Sequence, residues 1–99
     1  MIPLLSTFPE NKGVPDASRR INQVIMTIAR EKSLPLINLQ EALKNLPNNG
    51  IDNDGIHLTI PPNGASGYFT AENLQYGYTV RNLVTLQALD IVWRQLMNQ

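Results

Sequence analysis

The stretch from Asp16 to Leu39, DASRRINQVIMTIAREKSLPLINL, decides how the rest of the chain is read. Asp16 stands where a helix N-cap belongs, and Ile21, Val24, Ile25, Ile28 and Ala29 recur at the spacing of one helical face. This predicts a helix over 17–32, with those apolar residues in a core and Arg19, Gln23, Arg30 and Glu31 on the wet side. Ser33-Leu34-Pro35 closes the helix. Leu36-Ile37-Asn38-Leu39 then reads as a short strand, because the residue before a proline is biased toward extended backbone.

Toward the N-terminus, Glu10 to Asp16 is a loop by composition, and Ile2 to Thr7 is a short apolar run closed by Phe8-Pro9, which has the length and bounds of a strand. Strand, helix, strand makes a βαβ unit with two parallel neighbouring strands. A buried strand this close to residue 1 reads as the continuation of an earlier part of a domain, whereas an edge strand would tolerate Pro3. Toward the C-terminus, Gln40 to Leu46 allows one or two helical turns, ended by Pro47-Asn48-Asn49-Gly50, and Ile60 to Gly67 is too rich in breakers for regular structure. Over 78–97 the pattern is helical again. Leu83, Val84, Leu86, Leu89, Ile91, Val92, Trp93 and Leu96 cover much of the circumference there, so this helix is expected to be largely buried, with Arg81, Asp90 and Arg94 on its wet side.

At 99 residues the chain is one small domain or part of a larger one, and with 42% hydrophobic and 16% charged residues it is apolar enough to fold around a core. Eight basic residues balance eight acidic ones and none cluster beyond Arg19-Arg20, which argues against a nucleic-acid partner. A net charge of zero also favours self-association. There is no cysteine for a disulfide or a thiolate zinc site, and one histidine cannot build a His-rich metal site. Met1 to Leu5 lacks the basic region and small-residue cleavage site of a secretory signal, and no run is long and apolar enough to span a membrane. The chain therefore reads as soluble, with its compartment open.

The chemistry-bearing motif is Asp52-Asn53-Asp54-Gly55-Ile56-His57-Leu58-Thr59, which holds the single histidine three residues after a carboxylate. At that spacing Asp54 can accept a hydrogen bond from one imidazole nitrogen while the other faces a nucleophile, the orienting half of a triad. Asn53-Asp54-Gly55 is also ordinary turn chemistry, and a surface histidine after such a turn needs no function. In an open parallel sheet, ligands bind beyond the carboxyl ends of the strands. The loops after Thr7 and Leu39 and the loop bearing Asp54 and His57 are thus expected on one rim.

In this order of elements, Asp54-Gly55-Ile56-His57 followed by a Gly-Tyr pair at a terminal helix resembles the C-terminal half of an SGNH (GDSL-type) hydrolase. Gly77-Tyr78 is the first candidate for that pair and Gly67-Tyr68 the second. Ile2 to Pro9 resembles the strand and Pro-containing loop that precede the family's penultimate helix. The resemblance covers nearly the whole chain as one partial domain over 1–99, with an inserted loop over 60–76. It implies a flavodoxin-like, three-layer α/β/α fold with a mostly parallel sheet, of which this chain is the C-terminal part. It further implies a lipase or esterase acting on a small-molecule ester without metal or organic cofactor, His57 as general base and Asp54 as the carboxylate that orients it.

The departures are equally specific. The family's nucleophile sits in a Gly-Asp-Ser block that does not occur here, and none of Ser6, Ser18, Ser33 and Ser66 has its setting. The missing serine is expected from an N-terminal segment or another chain, or the chain associates with itself. Four of six aromatic residues (Tyr68, Phe69, Tyr76 and Tyr78) fall within 68–78, and Tyr68, Phe69 and Tyr76 are candidate substrate-binding residues in a loop that either walls a pocket or packs on itself as a flap. The alternative to an enzyme is a non-catalytic interaction or ligand-binding module that pairs with a complementary segment or with itself.

Overall fold

A computed structural model of the protein describes residues 3–97. The element order is strand β1 (Leu5–Ser6), helix α1 (Pro15–Glu31), strand β2 (Leu36–Ile37), helix α2 (Leu39–Leu43), and, after two short 3₁₀ turns at Pro47–Gly50 and Asn73–Gln75, helix α3 (Gly77–Met97). β1 and β2 pair in parallel, Leu5 with Leu36 and Ser6 with Ile37. This is the βαβ unit that the Asp16–Leu39 pattern predicts.

The expected three-layer α/β/α sandwich around a mostly parallel sheet is overturned. The described residues form a two-stranded sheet with two residues per strand, while about 53% of them are helical, 3₁₀ turns included. The physical reason lies at the strand ends. Pro3 has no amide to give a ladder. At the other end, the buried Thr7 turns its hydroxyl to other work: Oγ1 donates to Asn38 Oδ1 (3.2 Å) and accepts from the Gln40 amide (3.0 Å), so both strands stop where α2 starts. Asn38 caps α2 with the same oxygen, which accepts from the Glu41 amide.

α1 begins one residue before Asp16, at Pro15. A proline in the first helical position gives up an amide that would lack a helical partner anyway, and Asp16 becomes a favourable negative charge in the first turn. The helix ends with Ser33 in the left-handed region (φ 53°), where Leu34 N–H donates to Ala29 O and Ser33 N–H to Arg30 O, the paired bonds of a Schellman closure.

The core is small. Ile37, Leu39, Leu43 and Leu58 form its centre, with Leu4, Leu46, Tyr78, Val80, Val84 and Ala88 packed against it. α1 contributes Ser18, Asn22 and Ala29 to the buried set; of the apolar stripe expected there, Ala29 is buried and Ile25 half-buried, while Ile21, Val24 and Ile28 lie open. α3 departs from expectation in the same way, leaving Leu86, Leu89, Ile91, Trp93 and Leu96 exposed beyond its first turns. The radius of gyration of 14.4 Å exceeds the about 12.5 Å of a compact chain this long, and the shortest dimension is 20 Å. The chain is a slab whose two long helices, α1 and α3, each have an apolar face that no other part of the described chain covers.

Candidate functional site

The Asp54–His57 loop is built by its own backbone. Ile51 and Leu58 form an antiparallel bridge, and the Asp52 amide donates to His57 O at 2.8 Å, so the loop enters and leaves side by side. Inside it, Gly55 takes φ +72° and its amide donates to Asp52 O. Asp54 Oδ1 accepts from the Ile56 amide (2.9 Å) and the His57 amide (3.0 Å), while Oδ2 lies 2.6 Å from His57 Nδ1. One carboxylate makes both sets of contacts: one oxygen holds the turn and the other meets the imidazole. Hydrogen bonds from the His57 ring, then from the Ile56 and His57 amides, hold the Asp54 carboxyl down at about 2 from the usual 3.8.

Two glycines seat this loop on the fold. The amide of Gly77 donates to Thr59 Oγ1 at 2.7 Å and that of Tyr78 to Thr59 O at 3.0 Å, so Thr59, two residues after His57, caps α3 across 18 positions of sequence. Thr59 N–H in turn donates to Gly50 O at 2.8 Å. A Cβ on Gly77 would run into Gly50 O, so that position has no room for a side chain, and Gly50 itself holds φ +76°, where a side chain would strain the backbone. Gly77, not Gly67, opens the terminal helix.

The loop after β1 closes the other side. Asn22 grips Phe8 through two hydrogen bonds, Phe8 N–H to Oδ1 (2.7 Å) and Nδ2–H to Phe8 O (2.8 Å), and Asn11 Nδ2 donates to Gly55 O at 2.9 Å. Between them lies a cavity of about 650 Å³ lined by Thr7, Phe8, Leu39, His57, Tyr78 and Arg81 among others. Its wall is mostly apolar, with Val14, Ile21, Ile51 and Leu58 contributing. His57 is exposed on this rim, and Asp54 is its only ring hydrogen-bond partner among the described residues.

Of the residues picked from sequence, Asp54 and His57 come together, and Tyr68, Phe69 and Tyr76 are not in the lining of this cavity. Tyr68 is exposed, and Phe69 and Tyr76 are half-buried in the segment that Asn73 fastens through Nδ2 to Tyr68 O and Ala65 O. Ser6 shares the cavity but donates to Thr7 O, and Ser18 is buried with its hydroxyl donating to Val14 O and accepting from the Asn11 amide. Thr59, Asn11 and Arg81 escaped the sequence reading. Thr59 and Asn11 act across long separations that leave no local pattern, and Arg81 looked like one more charge on a helix.

No helix among the described residues is long and apolar enough to cross a membrane, and no group of three or more metal-ligating side chains occurs among them. Comparison with protein-family models, curated proteins and solved structures finds no match.

Proposed function

We propose that this chain supplies the base half of a serine ester hydrolase of the SGNH type, with the nucleophilic serine carried by another polypeptide segment. The observation that carries the reading is the 2.6 Å contact of His57 Nδ1 with an Asp54 carboxylate already fixed by two amides, on the rim of a largely apolar cavity. With Nδ1–H donating to Asp54, Nε2 is the basic nitrogen. It takes the serine proton as the oxygen attacks the ester carbonyl, and Asp54 stabilises the imidazolium formed. The proton then passes to the departing alkoxide, leaving an acyl-serine, and a second round with water releases the acid and restores the serine.

The test uses p-nitrophenyl butyrate. The chain alone is expected to turn it over no faster than its His57→Ala variant. In a complete assembly containing the serine, His57→Ala should lower kcat by at least about 10³-fold. Undiminished hydrolysis in that assembly overturns the reading.

A second reading, a non-catalytic interaction module, is favoured by the open apolar faces: Ile21, Val24 and Ile28 on α1, and Leu86, Leu89, Trp93 and Leu96 on α3. It predicts tight association with a partner that His57→Ala leaves unchanged. A chain that sediments as a monomer at tens of micromolar and captures no complementary segment would remove it.

A further inference from the structure

We infer that Arg81 anchors an anionic group of the substrate, so that the cavity takes an ester bearing a carboxylate or phosphate at one end and an apolar chain at the other. The inference rests on the ester-hydrolase reading for the word ester, and on the cavity alone for the anion. Arg81 reaches the cavity from α3, while His57 reaches it from the loop before that helix. Its guanidinium lies 4.8 Å from the centroid of the Tyr78 ring, a stacking that positions the charge without neutralising it.

The charge has no carboxylate partner among the described residues. Its hydrogen bond is a long one, 3.4 Å to Asn82 Oδ1. The carboxylates that do form ion pairs serve Arg19, Lys44, Arg94 and His57, and no aspartate or glutamate lines the cavity. Lys12, Arg20, Arg30 and Lys32 also lack ion pairs and, like Arg81, are exposed; of the five, Arg81 alone lines the cavity. Arg81 is the cation whose neighbours are a cavity wall.

α3 has no acidic residue in its first turn, so no carboxylate at the start of its own helix offsets the guanidinium, and an anion in the cavity would. Guanidinium presents two parallel N–H donors matched to a carboxylate or phosphate, and the apolar wall of Val14, Ile21, Leu39, Ile51 and Leu58 lowers the local dielectric and strengthens that pairing. The same wall accepts the hydrocarbon part of the ligand.

The experiment is an NMR titration of the full chain with hexanoate, hexyl phosphate and 1-hexanol, following the Arg81 side chain and the His57 ring. At least one anion is expected to bind about tenfold or more tighter than the alcohol. Arg81→Gln should bring that anion to the alcohol's affinity, and Arg81→Lys should recover part of the loss. Hexanoate ahead of hexyl phosphate assigns a carboxylate, and the reverse order a phosphate. Anions that bind no tighter than hexanol, or a folded Arg81→Gln chain that binds them as the parent does, overturn the inference. Arg20→Gln, at an exposed cation outside the lining, is expected to keep anion binding within about twofold. Failure of the hydrolysis test with anion binding intact would sink the ester reading and leave the anion site standing.

Discussion

At its first turn α3 meets the backbone of Gly50 so closely that no side chain fits between them, whereas further along the same helix leaves Leu86, Leu89, Trp93 and Leu96 to solvent. The two ends share one sequence pattern. Leu86, Leu89, Trp93 and Leu96 recur at the three-and-four spacing of a packing face as convincingly as Val80, Val84 and Ala88 do, yet the second set packs on the core and Trp93 is 62% exposed. What separates them is the loop between Gly50 and Thr59. It brings a cap, a glycine contact and the Asp54–His57 pair to one end of the helix, and nothing in the described chain reaches the other end. The end that holds the candidate chemistry is closed, and the end that would hold a partner is open.

Gly77→Ala is the hardest blow to the closed end. Its Cβ would meet Gly50 O, so it should cost about 3 kcal/mol and lower the urea midpoint steeply, while Trp93→Ser in the open end should cost less than about 0.5 kcal/mol in the monomer. Equal midpoints for the two variants would erase the contrast. Thr79→Val sharpens it from the other direction. The Thr79 hydroxyl is fully buried beside the closed end and has no hydrogen-bond partner among the described residues, so replacing it with a methyl should raise stability by about 1 kcal/mol. A loss of that size in thermal or urea unfolding would mean that the hydroxyl is satisfied after all.

The smallest effect is that of pH on the loop. The Asp54 carboxyl is held at about 2, below its ordinary 3.8, so the native loop gains from the ionised form at any pH above that ordinary value. The gain fades as pH falls from 3.8 through about 2, and because the side chain is well exposed, solvent screens it. Amide exchange at Ile56 and His57, followed from pH 5 to pH 2, should accelerate relative to Asp54→Ala only in that acid window. A parent-to-variant ratio that stays constant across it would show that the carboxylate does not hold the turn.

How far the sequence could be read follows the range of the interactions. The Asp54-x-x-His57 pair lies within four residues, so its geometry is nearly dictated by the turn chemistry of Asn53-Asp54-Gly55, and the structure brings the two side chains into contact. The parallel strand pair was legible too, because the α1 periodicity and Pro35 bracket it. The extent of the sheet was not. Alternating strand and helix patterns bring to mind a wide sheet, but a sheet needs neighbours, and the described chain provides two strands whose ends Pro3, Thr7 and Asn38 cut short.

By itself, then, the sequence determined the local devices: the periodic helices and the Asx turn that fixes His57. Each is a matter of near neighbours along the chain. The tertiary structure alone decided which apolar faces are covered, that Thr59 caps a helix 18 residues away, that Gly77 must have no side chain, and that Arg81 shares a cavity with His57. Those depend on which distant segments meet, and hydrophobic spacing says that a face needs a partner without saying which one, or whether it has one.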